Sequence, residues 1–181
     1  MLISGDRGMG KRTLIHHLLP VQLFDTYSEL DEDQLMTLSL GQRLEDERQL
    51  CRMLGPLIDE ESVQSLEALA GRLRNIDHKR IVFVENASHL YARTARGLQL
   101  CRRFLELVGQ TSEWILWIVM MGKPAATLLE TTLDLEGYFT HSFEVDPLDA
   151  DQIEEMIMTR HRVSGFHLEF QAPESRVFDR I

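Results

Sequence analysis

The stretch Gly5-Asp6-Arg7-Gly8-Met9-Gly10-Lys11-Arg12-Thr13 decides how this chain is read. It fits the spacing G-x-x-x-x-G-K and stands between an apolar tetrad, Met1-Leu2-Ile3-Ser4, and a helical run from Lys11 to Leu19 that Pro20 stops. Strand, glycine turn and helix, in that order, are the context the spacing requires. Glycines let the backbone wrap closely enough for consecutive N–H groups to point at phosphate oxygens. The helix offers the positive end of its dipole, and Lys11 a compact charge for the outer phosphates. Within the helix Leu14 and Leu18 share one face and Ile15 and Leu19 the next, a broad apolar side. Every residue from Gly5 to Thr13 is therefore a candidate contact for a bound phosphate chain.

One position departs from the pattern. A Ser or Thr normally follows the lysine, and its hydroxyl binds Mg²⁺. Here Arg12 follows and Thr13 comes one residue late. Arg12 can contact phosphate but cannot hold a cation. Weak Mg²⁺ binding is expected, with Thr13 a metal ligand only if the loop shifts register.

Outward from the loop, apolar strands alternate with helical patterns. Leu35 to Leu40 reads as a short strand, while residues 21–34 carry no period and Asp31-Glu32-Asp33 reads as a solvated acidic turn. Leu44 to Leu57 and Glu60 to Leu73 are helical, the second with Val63, Leu66, Leu69, Ala70 and Leu73 at spacings of three and four and Asp59 as candidate N-cap. Ile81-Val82-Phe83-Val84 is apolar on both faces, as a central parallel strand requires. A helix from Leu98 to Val108 lines up Cys101, Phe104, Leu105 and Val108, with Gly109 as its end. Trp114 to Met121 is a further doubly buried strand, with Trp114 and Trp117 on opposite faces. A helical piece near Ala125–Leu129 and a short strand at Phe143–Val145 follow. Asp149-Ala150-Asp151-Gln152 spells a capping box that opens a helix with Ile153, Met156 and Ile157 on one face. The alternation argues for a parallel α/β sheet covered on both sides.

Composition sets outer limits. The 181 residues carry 19 Lys+Arg against 29 Asp+Glu, a formal net charge of −10, and 44% hydrophobic residues, enough for a packed core. An acidic chain repels the phosphate backbone, so no direct nucleic-acid contact is expected. Two cysteines, Cys51 and Cys101, make no disulfide framework, and a reduced, cytoplasmic setting is expected. Neither the uncharged run Thr13–Phe24 nor the apolar run Trp114–Gly122 reaches the roughly 20 residues of a membrane span. With its first strand at residue 1 and a loose tail from 171 to 181, the chain reads as cut from a longer protein.

The phosphate loop and a second feature, Ile81-Val82-Phe83-Val84-Glu85-Asn86, together resemble the P-loop NTPases and, within them, the AAA+ ATPases (bacterial-type, with degenerate Walker motifs). That family's second motif is an apolar strand ending in Asp-Glu, the Asp holding Mg²⁺ through water and the Glu activating the attacking water. The resemblance puts Glu85 in the first role and Asn86 in the second, so Glu85 and Asn86 are the catalytic candidates and Glu85, with Thr13, the metal candidate. An amide orients a water but cannot take its proton, so general-base catalysis should be weak. The resemblance further implies a three-layer αβα P-loop fold with a mainly parallel five-stranded sheet in the order 5-1-4-3-2. It implies ATP as the nucleotide, with weak Mg²⁺, bound weakly by this segment because adenine contacts usually come from residues before the first strand and from a lid. It divides the chain into a nucleotide-binding core, 1–146, and the start of a lid-like helical segment and tail, 147–181. It leaves a protein partner unknown and homo-oligomerisation through the parent protein open.

Two family parts are missing. The strand that usually ends in a polar sensor ends here in Met120-Met121-Gly122-Lys123, and between Arg103 and Arg160 the only Lys or Arg is Lys123, so no arginine finger occupies that window. Arg93, Arg96, Arg102 and Arg103 lie earlier and read as a solvated face; Arg160 and Arg162 lie in the lid-like segment, where a helix C-terminus equally accounts for them. No Asn-Lys-x-Asp guanine reader exists, Asp134-Leu-Glu-Gly137 lacks the strand a GTPase motif needs, and a small-molecule kinase would need lid arginines. The adjacent His16 and His17 cannot both face one metal, so a zinc site is not expected, and the cysteines read as core sulfur. Two functions remain: a nucleotide-dependent switch with slow or absent hydrolysis, or an active Mg²⁺-dependent ATPase that remodels or moves a partner.

Overall fold

The computed structural model describes residues 1–18, 34–59, 63–91 and 97–165. The readings of Leu19, of residues 21–33, of Arg93 and Arg96, and of the tail lie outside the described residues. Five strands form one all-parallel sheet: β1 (Leu2–Gly5), β2 (Leu35–Ser39), β3 (Arg80–Glu85), β4 (Ile115–Met120) and β5 (Ser142–Val145), in the spatial order β2-β3-β4-β1-β5. This is the expected order read from the other edge. Apolar runs fill the central strands because parallel strands are covered on both faces.

The two faces carry separate clusters. Val82, Val84, Trp117 and Val119 pack with helices α2 (Glu47–Leu54), α3 (Leu66–Leu73), α4 (Gln99–Thr111) and α5 (Lys123–Leu133), through Leu50, Leu69, Phe104 and Leu129 among others. Ile81, Phe83, Ile118 and Met120 face the opposite way and meet Ile3 and Ile15. Burying each such side chain contributes roughly 1.5–3 kcal/mol, so the alternation along β3 and β4 fixes which side faces which helices. The helix after the loop is short: α1 (Lys11–Thr13) passes directly into a π-type turn, Leu14–Leu18.

Several boundaries differ from the sequence reading, each for a local reason. The helix expected from Leu44 starts at Glu47, because the Asp46 carboxylate accepts from the Gln49 N–H and caps it there. The helix expected from Glu60 is α3, and its N-cap is Ser65, which accepts from Ala68 N–H at 3.2 Å. Asp59 instead ends the preceding 3₁₀ turn, Gly55–Ile58, in a left-handed conformation at φ 56°. Gly109 does not end α4. The helix runs on to Thr111, whose buried hydroxyl donates to the Leu107 carbonyl at 2.7 Å and accepts from Trp117 Nε1 at 2.9 Å. That pair anchors the last turn against β4, and Trp117 also meets Phe104 edge-on at 5.7 Å. Trp114 precedes β4, escapes its alternation and packs against the same cluster as Trp117 rather than across the sheet. Near its start β4 is not doubly buried, for Leu116 is exposed.

The chain divides into two compact units, Met1–Val145 and Asp146–Ile181. In the second, the capping box forms as its sequence spells it. Asp149 accepts from Gln152 N–H at 2.8 Å, Gln152 Oε1 accepts from Asp149 N–H at 3.0 Å, and α6 (Ala150–Ser164) follows. No helix among the described residues is long and apolar enough to cross a membrane.

Candidate functional site

Because every strand is parallel, the C-terminal ends of β1, β3 and β4 share one edge of the sheet, where open α/β sheets place their ligand crevices. The ends of these three strands and the loop after β1 surround a hollow of about 690 Å³, within the usual range for ligand sites. Arg7, Gly8, Gly10, Lys11, Arg12 and Thr13 line one side, Glu85 and Asn86 another, with Ser88, His89, Met120, Met121 and Gly122 closing the rest. Among the described residues, three cationic side chains and one carboxylate line it, a local positive excess in a chain of net charge −10.

The loop is shaped by its glycines for two different reasons. Gly8 and Gly10 have φ of 90° and 81°, a region that side chains rarely adopt, although nothing would crowd a Cβ at either. Gly5 is required by space: a Cβ there would lie 2.7 Å from the Val145 carbonyl oxygen, where β1 and β5 pair. Of the remaining candidates, Asp6 accepts the Met9 N–H at 3.4 Å, and neither Asp6 nor Met9 lies on the wall of the hollow. Lys11 folds back over the loop, donating from Nζ to the Gly5 carbonyl at 2.8 Å and the Asp6 carbonyl at 2.6 Å. Burial lowers its pKa, and the Asp6 charge partly offsets this.

Opposite the lysine sits a four-part cluster. Glu85, at the end of β3, is 3% exposed and accepts from His16 Nε2 at 2.7 Å and Arg12 Nε at 3.2 Å. Ser39, its register partner on β2, adds a side-chain hydrogen bond. Burial pushes the carboxyl pKa up, but the hydrogen bonds from His16 and Ser39 and the charges of Arg12 and His16 outweigh it, leaving it below the ordinary carboxylate value. Asn86 follows in a left-handed conformation at φ 57° and stays exposed. Its residue type therefore has a backbone reason, since Asn tolerates this region. His89 donates from Nδ1 to the Leu40 carbonyl at 2.6 Å, tying the turn after β3 to the end of β2.

Sequence reasoning brought the loop and Glu85 together but missed His16 and Ser39. The signal for His16 was its spacing: Arg12 and His16 are four residues apart and share a helical face. Two other readings gain structural content. Arg103 ion-pairs with Glu47, Glu67 and Glu106, so it ties α2, α3 and α4 together on the surface. Burial, with nearby carboxylates, pushes the Cys51 thiol up to about 11, and burial pushes the Cys101 thiol up to about 12, which disfavours the reactive thiolate in both.

The donor set suits a polyphosphate better than a divalent cation. Among the described residues, the one carboxylate lining the hollow is already engaged by three protein donors, and no group of three His, Cys, Asp or Glu could hold a metal ion. Arg12 stands where a metal-binding hydroxyl would be expected.

No protein-family model and no curated protein matches the chain. Solved structures do. The ORC1 protein of Aeropyrum pernix, in complex with DNA, superposes with a TM-score of 0.61 at 13% identity, over 90% of this chain and 43% of that one. Drosophila ORC bound to DNA gives 0.54 at 18% identity, over 88% and 39%. The core has the AAA+ fold. At such identities the likeness extends to the fold alone, and the chain spans less than half the length of either neighbour.

Proposed function

We propose that this chain is a nucleotide-binding AAA+-like module that works as a switch, with hydrolysis slow or absent. The observation that carries the reading is the glycine loop with Lys11 on one side of the hollow and Glu85, held by Arg12 and His16, on the other. Loop amides and Lys11 bind the phosphates of ATP. A bound phosphate competes with the Gly5 and Asp6 carbonyls for Lys11, and that exchange of partners converts occupancy into a change of loop shape that a protein partner reads. Water activation is poorly served. Asn86 cannot accept a proton, and a carboxylate with a depressed pKa and three donors is a weak base near neutral pH. The end of β4 supplies Met120, Met121 and Gly122 instead of a polar side chain, and no arginine lies between Arg103 and Arg160. The chains of similar fold were solved with DNA, but the acidic balance here argues against phosphate-backbone contacts by this segment.

A phosphate-release assay with ATP and Mg²⁺, paired with calorimetric titration, tests the reading. Turnover at least a hundredfold below the enzyme median of about 10 s⁻¹ is expected, with ATP binding that Lys11→Ala abolishes. Turnover near that median would favour an active remodelling ATPase, and unaltered affinity in Lys11→Ala would remove the site from the loop.

A further inference from the structure

We infer that Arg12 takes the place of the divalent cation, so that the hollow receives its nucleotide as the metal-free polyphosphate. The inference rests on the reading of the loop as a phosphate cradle and specifies which ionic form it takes. Arg12 occupies the position after Lys11 where a metal-binding hydroxyl would stand, and its Nε lies 3.2 Å from Glu85 Oε1. Glu85 is the carboxylate through which a metal would be held, yet it is 3% exposed and also committed to His16 and Ser39. A hydrated Mg²⁺ keeps several waters and near-ideal octahedral geometry, and to use Glu85 it would have to displace Arg12 while standing among Arg7, Lys11 and Arg12.

The arginine is suited to the substitution. A guanidinium presents five donors in a rigid fork, so its Nε can stay on the carboxylate while its terminal nitrogens bind two phosphate oxygens. The Arg12 side chain is 77% exposed, which leaves those terminal nitrogens open to a ligand. Glu85 and His16 then act as positioning residues that aim the fork, and Lys11 and Arg12 together balance the charge that Mg²⁺ would otherwise neutralise. The arrangement also agrees with slow hydrolysis, because a guanidinium brings no ligand water and no Lewis acid.

The test is calorimetric titration of the whole chain with ATP, in excess EDTA and in excess Mg²⁺, for the natural protein and for Arg12→Ser and Arg12→Lys. Affinity in EDTA should equal or exceed that in Mg²⁺. Arg12→Ser should bind at least tenfold more weakly in EDTA and regain affinity when Mg²⁺ is added, whereas Arg12→Lys, which keeps the charge but loses the fork, should fall between. Natural protein that loses affinity tenfold or more when Mg²⁺ is removed overturns the inference and leaves the phosphate cradle standing. Arg12→Ser that binds in EDTA as the natural protein does also overturns it. Absence of binding in both conditions overturns the cradle as well.

Discussion

In the loop Gly5–Gly10 the backbone shapes the candidate site, whereas at the end of β3 the side chains shape it. The loop takes its form from two left-handed glycines, a third glycine pressed against β5, and a lysine bonded to the carbonyls of residues five and six positions earlier. The β3 exit takes its form from Glu85 and its partners on α1, the π-type turn and β2, with His16 lying 69 residues away in sequence. A backbone site is local and tolerates exchange of side chains that do not point at the ligand. A side-chain site depends on the sheet register that delivers each partner, so it should fail in a more graded and more pH-sensitive way.

The largest expected effect breaks the loop side. Gly5→Ala puts a methyl 2.7 Å from the Val145 carbonyl at a φ of 152°, and either β1 or β5 must move. Overpacking and the unfavourable backbone region together should cost roughly 2–4 kcal/mol, read as a lower urea midpoint. Unchanged stability would mean that β5 adapts freely, so that the β1–β5 pairing does not set the loop's shape.

Next in size is the β3 side. Glu85→Gln weakens a half-buried hydrogen bond from His16 and an exposed link to Arg12, and should cost about 1–2 kcal/mol at neutral pH. The pH dependence has a definite sign. The Glu85 pKa is lower in the folded chain than in the unfolded chain, so its contribution is complete above the unfolded value of about 4.3. It is lost as pH falls through the depressed folded value. Denaturation curves of the natural protein and the variant should therefore converge in acid; a gap of constant size from neutral to acid pH would show that the charge is not what matters at this position.

The smallest effect separates backbone from chemistry at Asn86. Asn86→Gly should leave stability within about 0.5 kcal/mol, and Asn86→Glu should lower it by about 1 kcal/mol, because a glutamate side chain is disfavoured in the left-handed region. If Asn86→Glu also raises phosphate release, the water site is otherwise complete and Asn86 is what keeps hydrolysis slow in the natural chain. No rise in turnover fits a β3 exit whose carboxylate is locked by its own neighbours.

The legible part of this chain is the part governed by short range. Glycine spacing after an apolar tetrad announced the loop, apolar runs announced β3 and β4, and the Asp149–Gln152 reciprocity announced its helix, because each depends on residues within a few positions. Helix starts at Asp46 and Ser65 were harder, since an acidic residue such as Asp59 suits a helix N-terminus and a left-handed turn equally well, and only the packed neighbours choose. Gly109 reads as a stop until Thr111 and Trp117 are seen to hold the next turn.

Sequence alone, then, determined an α/β chain with a glycine loop between its first strand and first helix, its strand sequence and its lysine. The tertiary structure decided what Arg12 does, because only the parallel register of β2 and β3 brings Ser39 beside Glu85, and only the packing of the first helical turns onto that sheet brings Arg12 and His16 against the same carboxylate. An isolated arginine after the lysine is a departure from a pattern; paired with a buried carboxylate, it becomes a positive charge on the wall of the hollow, a property set by long-range contacts that no local window of the sequence contains.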